Sequence, residues 1–185
     1  MPTLLTHPAV PLALRAGLGA RRLPGRLLLV AIAGSLLPDV DVVGFRFGIA
    51  YGDLLGHRGL SHSLLVAGCL AALATLFAGR LGASRSATFG VVFLATASHG
   101  LLDAFTDGGL GVALLSPFDR ARYFFPWRPI EVSPIGIARF FSADSLAVLR
   151  SEIVWIWLPC IVAALLIRAL TSGARTPPPA APEST

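Results

Sequence analysis

The residues that can do chemistry fall in three short motifs. LLPDVD carries Asp39 and Asp41, HRGLSH carries His57, Arg58 and His62, and HGLLDAFTD carries His99, Asp103 and Asp107. Each motif lies within or beside a long apolar stretch. An ionisable group at membrane depth is expensive, and it persists where it pairs, binds an ion or lines a wet cavity. Imidazole and carboxylate together are a common ligand set for zinc and related divalent metals. The pattern points to a metal site set in a membrane, with hydrolysis as its chemistry.

Each motif also has a plainer reading. His99, Asp103 and Asp107 are spaced by four and share one face if the segment is helical. In a soluble helix a histidine–aspartate hydrogen bond would account for the first two. In an apolar helix a buried charge needs a stronger partner, which favours metal ligation. His57 and His62 sit where a polar linker enters an apolar run, with Ser61 placed to cap the helix. One histidine there would be unremarkable; two, flanking Arg58-Gly59, favour ligation. Asp39 and Asp41 fit turn chemistry after Pro38 as well as metal bridging. His7, close to a terminus, is most simply a solvated side chain. Arg58, Arg120, Arg122 and Arg128 have the guanidinium geometry that matches phosphate oxygens. Beside Tyr123 and Trp127, arginine equally serves as an interfacial anchor. That reading suits Arg120 best and leaves Arg122 and Arg128 open.

Composition sets the surroundings. Apolar residues make up 55% of the 185 positions and charged residues 14%, with a mean hydropathy of +0.74. These values fit an integral membrane protein rather than a soluble domain. The net charge is +5, and every basic residue is arginine. The arginines are scattered between apolar runs, not clustered with aromatics at nucleic-acid-binding spacing. Membrane lipids are the expected partners and nucleic acid is not. Cys69 and Cys160 each sit alone in an apolar run and read as small buried hydrophobes. The opening MPTLLTHPAVPLALRAG has no early basic region and no cleavage site, so it is expected to be retained.

The expected fold class is all-α, a membrane-embedded helical bundle with a long aromatic and arginine-rich connection before the last helix. Residues 1–171 form one domain, and 172–185, ending PPPAAPEST, a disordered tail. His7–Leu18 predicts a short helix, with Pro8 and Pro11 in its first turn. Leu27–Leu37 is apolar but too short to cross about 30 Å of hydrocarbon, and Pro38 is expected to begin a turn. The glycine-rich stretch 39–59 reads as irregular. Ser61–Ala78, Ala87–Phe105 and Ile153–Ile167, extended to Leu170, are the candidate spans.

Pairing these helices has a geometric consequence. The short connection Gly79–Ser86 closes one end of the 61–78 and 87–105 pair, so the histidines of the first and the acids of the second meet at the other end. Asp39 and Asp41 follow the 27–37 helix to that same end, and a 7–18 helix running down to Arg21 places His7 there too.

The motifs LLPDVD, HRGLSHSLL and SHGLLDAFTDGGLGVALLSPFDRARYFFPWRPI, in this order and spacing, resemble the YdjM family of inner-membrane metal-dependent hydrolases. That family is described as LexA-regulated and includes the DUF457 proteins. The resemblance covers roughly residues 5–137. It implies functional roles for His7, Asp39, Asp41, His57, Arg58, His62, His99 and Asp103. Ser61 stands where the family often has threonine, which preserves the hydroxyl. The family is similar in turn to zinc-dependent phospholipase C and P1-type nucleases, whose His-x-x-x-Asp ligand pair is matched by His99 and Asp103. This implies phosphoester hydrolysis with one or two divalent ions, zinc first.

The resulting expectation is a hydrolase acting on a small-molecule or lipid phosphoester. The metal ligands would come from His7, Asp39, Asp41, His57, His62, His99 and Asp103. Asp39 or Asp41 would bridge metals or take a proton from water, and Arg58 would steady transition-state charge. A membrane metal-binding or transport protein, or a non-catalytic module with a structural metal, is the alternative. The loop 79–86 and the tail are expected in the cytoplasm, because basic residues near span ends and in short loops stay inside. The metal site then lies near the outer face.

Overall fold

The computed structural model describes residues 1–133 and 145–172. The expected tail beyond Ser172 and Arg139 in the long connection lie outside the described residues. The described chain is helical, without a strand; two isolated bridges, Thr106–Ile130 and Val112–Tyr123, pin the long connection.

Helix α1 spans Ala9–Leu18, with Pro8 before it and Pro11 in its first turn, where a missing N–H leaves no intrahelical bond unmade. Gly19 ends it at a φ of 81°. Helix α2 spans Gly25–Leu36, and the chain continues as a 3₁₀ helix over Leu37–Phe47. This corrects the expected break at Pro38. The proline falls at the start of the 3₁₀ stretch, and the Ser35 carbonyl, three residues before it, accepts from His99 Nδ1 instead. The two segments form one helical run of 23 residues, Gly25–Phe47. At the rises of the two helix types it is roughly 40 Å long, enough to cross a bilayer.

The expected Ser61–Ala78 span is also corrected. A 3₁₀ turn at Leu60–His62 precedes helix α3, Leu64–Thr75, whose 12 residues are too few to span by themselves. Its N-cap is Ser63, which accepts from the Val66 N–H at 3.2 Å, not Ser61. The short helix α4, Ala78–Leu81, ends at Gly82. Helix α5, Arg85–Ala104, is capped by Ser84 and is the second helix long enough to span. The third is a run of 28 residues, Ser145–Ser172. It comprises α6 (Ser145–Glu152), a wide π turn over Ile153–Trp157, and α7 (Leu158–Ser172). Pro159 cannot donate to the carbonyl four residues earlier, and the wide turn lies immediately before it.

Helix α5 is the centre of the bundle, packed by α3 and by α2, while α1 packs against α7. Away from the site, Leu23 and Leu27 pack with the small residues Ala31, Ala71, Ala74 and Ala95. Small side chains let membrane helices approach closely, and close packing rather than the expulsion of water drives helices together in lipid. Ile161, Val162, Leu165, Leu166 and Leu170 on α7 are exposed, the outward apolar face a lipid environment accepts.

Candidate metal centre

Every ionisable side chain of the three motifs except Asp107 arrives at one end of the bundle. His99 and Asp103 lie one turn apart on α5 and are fully buried. Asp107 does not join them, because α5 ends at Ala104; its carboxylate instead accepts from the Val132 N–H at 2.9 Å. Asp39 comes from the 3₁₀ stretch, buried. His62 comes from the turn before α3, and His7 from the segment just before α1. The turn reaches α5 because residue 100 is glycine: a Cβ there would sit 2.7 Å from the His62 carbonyl oxygen.

The nitrogens and oxygens at the centre face one another at close range. His62 Nε2 lies 3.0 Å from His99 Nε2. Asp39 Oδ1 lies 3.3 Å from His99 Nε2 and 3.6 Å from His62 Nε2. Asp103 Oδ2 is 3.5 Å from His62 Nε2. Ligands about 2.1 Å from a tetrahedral metal stand about 3.4 Å from one another, so these separations match the edges of such a site. Both carboxylate oxygens of Asp39 and of Asp103 are buried with no hydrogen-bond partner among the described residues, a costly arrangement that a cation relieves; for Asp103 the Arg58 guanidinium supplies part of that charge. His7 stacks on His99, with ring centroids 3.7 Å apart. Its Nε2 lies 3.7 Å from Asp39 Oδ2 and 3.9 Å from Asp103 Oδ1, and neither of its ring nitrogens has a hydrogen-bond partner. The residues fit a divalent metal.

A surrounding layer fixes the tautomers. His99 Nδ1 donates to the Ser35 carbonyl at 2.7 Å, which leaves Nε2 as a lone pair. Asp41 accepts from His57 Nδ1 at 2.7 Å through one oxygen. Its other oxygen accepts from the Ser61 hydroxyl at 2.5 Å and lies 3.2 Å from His62 Nδ1. The hydroxyl at position 61 thus holds Asp41 rather than capping a helix. Asp41, His57 and His62 form a second group close enough to share an ion.

Arg58 is buried, with its Nε 3.2 Å from Asp103 Oδ2. It also donates to the Gly108 carbonyl at 2.8 Å and the Thr106 hydroxyl at 2.9 Å. Its backbone has a φ of 61°, a conformation a non-glycine residue adopts at an energetic cost. Burial disfavours a charge on both His7 and His62. For His7 it wins and pushes the pKa down. For His62 burial also opposes the charge, but the carboxylates of Asp103, Asp39 and Asp41 outweigh it and push the pKa up.

The three motifs do not disclose the polar contact that brings His7 to the centre. Glu152 at the end of α6 is buried, and its carboxylate accepts from the Thr3 and Thr6 hydroxyls at 2.7 Å each and from the Thr3 N–H. Trp157 Nε1 donates to the same Thr6 hydroxyl at 3.2 Å. The signal for it in the sequence is an acid directly against the apolar run IVWIWLP.

Fold and site together define an all-helical membrane protein with a buried histidine–aspartate centre able to hold a metal. The chain belongs to the family described as YdjM inner membrane protein, whose sequence profile matches residues 1–175. It is 44% identical over 163 residues to inner membrane protein YbcI of Escherichia coli (strain K12), a match covering 86% of this chain and 92% of that protein. No solved structure matches it. The chain is an integral protein of the inner membrane, with three helices able to span it.

Proposed function

We propose that this protein is a membrane-bound metal-dependent hydrolase acting on a phosphoester, with a lipid as the favoured substrate class. The observation that carries the metal is the set of donor-free carboxylate oxygens of Asp39 and Asp103 facing His62 and His99 Nε2. With the His62 proton displaced by a metal, the side chains of Asp39, Asp41 and Asp103 oppose that of Arg58 and leave two negative charges. One divalent ion, zinc by ligand type, restores balance. Asp39, His62, His99 and Asp103 would hold it, with His7 beside them. Such an ion polarises a phosphoryl oxygen and lowers the pKa of water to about 7.

The chain's own residues then divide the work. Asp41 orients His62 and His57, and Arg58 holds Asp103 rather than meeting substrate. Asp39 is the carboxylate with oxygens to spare for a proton. Resemblance to phospholipase C and P1-type nucleases, through His99 and Asp103, supports the phosphoester.

Complete burial of the centre favours a second reading, a structural ion, since catalytic sites keep an open position. Protein purified in mild detergent and given Zn²⁺ or Mn²⁺ decides between them. Hydrolysis of a phosphodiester or phospholipid that needs metal and is lost in His99→Ala and Asp103→Ala supports the hydrolase. Stoichiometric metal with no turnover across phosphoester, ester and amide panels overturns it in favour of the structural ion.

A further inference from the structure

A second polar site lies on the far side of the His57–Gly59 backbone. Gly52, Asp53, Leu54 and Gly59 form one wall of a cavity of about 180 Å³, and Ala113, Ser116, Arg120 and Arg122 form the other. The same backbone serves both sites. The side chains of His57 and Arg58 belong to the metal centre, while the His57 carbonyl accepts from Arg122 at 3.1 Å and the Arg58 carbonyl from the Ala113 N–H at 3.0 Å.

Three observations mark the cavity as a binding site. The first is charge. Among the described residues Arg122 bonds only to backbone carbonyls, those of Tyr51, Asp53, His57 and Gly111, which orient a guanidinium without neutralising it. Arg120 is exposed and forms no ion pair among the described residues. Asp53, in the wall itself, accepts from the Ala50 N–H at 2.9 Å and keeps its charge, so Arg120 and Arg122 against Asp53 leave the lining with an excess of one positive charge; Asp119, outside the lining, accepts from the Ala121 N–H and the Tyr123 hydroxyl. The second is Ser116, buried in the wall, whose hydroxyl has no hydrogen-bond partner. A buried orphan hydroxyl is rare and calls for an occupant. The third is the segment's two-sidedness. Leu114, Leu115, Tyr123, Phe124 and Phe125 line an apolar cavity of about 310 Å³. Leu54, Leu55, Leu115 and Phe118, in or beside the polar walls, are exposed.

We infer that this cavity binds a phosphoryl group, held by Arg120, Arg122 and the Ser116 hydroxyl. The exposed Arg120 guanidinium is free to pair phosphate oxygens bidentately; Arg122, whose terminal nitrogens already donate to four carbonyls, adds a fixed positive charge and its Nε–H, and the hydroxyl adds one neutral donor. The group is the phosphate of a membrane lipid, whose apolar part suits the neighbouring surface, or a free phosphate of the same chemistry. The inference does not depend on hydrolysis. If the metal centre is catalytic, the cavity is where the phosphate end of an amphiphilic substrate is held.

The test uses the full chain in neutral detergent, titrated calorimetrically with inorganic phosphate and, separately, with phosphatidylglycerol in mixed micelles. Ser116→Ala and Arg120→Gln should each weaken binding by roughly tenfold to a hundredfold, the worth of one hydrogen bond to a charged ligand. Neither carries a structural contact, so both should fold. Arg128→Gln, whose guanidinium stacks on Phe124 outside the cavity, should bind as wild type. His99→Ala should retain binding although it lacks the metal centre. Tighter binding of phosphatidylglycerol than of phosphate assigns the site to lipid, and equal binding to free phosphate. No saturable binding of either probe overturns the inference. So does binding lost in His99→Ala but kept in Ser116→Ala and Arg120→Gln, which would put the phosphate on the metal.

Discussion

At the scale of single residues, the centre separates groups free to hold a metal from groups placed to orient them, although all are histidine and aspartate. His99 has Nδ1 engaged by a carbonyl and Nε2 bare, the arrangement of a ligand. Asp41 has both oxygens engaged by His57 and Ser61, the arrangement of an orienting carboxylate. Elemental analysis should therefore find no bound metal in His99→Ala, whereas Asp41→Asn should keep its metal with affinity reduced about 10–100-fold. Equal losses in the two variants would show that Asp41 is a ligand. The pH dependence has a defined sign. Metal must displace any proton on the imidazoles, and the carboxylates hold the His62 proton to a pH above the ordinary imidazole range. Affinity should keep rising with pH through and above neutrality; a plateau from about pH 7 upward, as for an unperturbed imidazole, would contradict that assignment.

At the scale of elements, two contacts place the ligands. Gly100 lets the His62 backbone lie against α5. Gly100→Ala should push the turn away and reduce metal affinity more than it reduces helix content; wild-type affinity in this variant would mean the turn relaxes freely. The second contact is the Glu152 cluster, which ties the segment before α1 to the last helix and so sets the position of His7. Glu152→Ala leaves two buried hydroxyls without their acceptor. It should destabilise the detergent-solubilised protein by on the order of 3 kcal/mol. Glu152→Gln, which keeps an acceptor oxygen, should lose less. Thermal denaturation followed by circular dichroism would check this, and an unchanged midpoint in Glu152→Ala would refute it.

At the scale of the whole molecule, charge is distributed by end. Arg15 and Arg26 donate to the carbonyls of Leu23 and Arg80, so the 79–86 loop and the α1–α2 connection share one basic end opposite the metal centre. Arg21, Arg22 and Arg168 line a cavity there. Such arginines, close to span ends and in short loops, favour the cytoplasm. A cysteine replacing Ser84 should resist an impermeant thiol reagent in intact cells stripped of their outer barrier. Ready labelling would invert the orientation and put the metal centre inside. A cation bound among the buried carboxylates would stabilise the folded state, so stripping metal from the purified protein should also lower the melting temperature of the whole bundle, reversibly on adding it back.

The sequence by itself determined the membrane setting, the all-helical class and the set of residues that meet. These follow from hydropathy and from ionisable groups in apolar runs, each of which is a local property. It also placed the meeting at one end, since a short loop forces two helices to run antiparallel. What it could not determine was where helices continue or stop. Pro38 looks like a break and is not, because the Ser35 carbonyl that its missing N–H would have met accepts from His99 instead; the 61–78 run looks like one span and is divided. Nor could it separate Asp39 from Asp41, two residues apart and chemically identical, because only the neighbours brought by α5 and by Ser61 distinguish an oxygen left bare from one already bonded. Arg58 and Arg122 show the same limit. Both are arginines near the motifs, yet one is engaged by a buried carboxylate and the other only by carbonyls beside a cavity. Such roles depend on partners far apart in the chain, and only the tertiary structure supplies them.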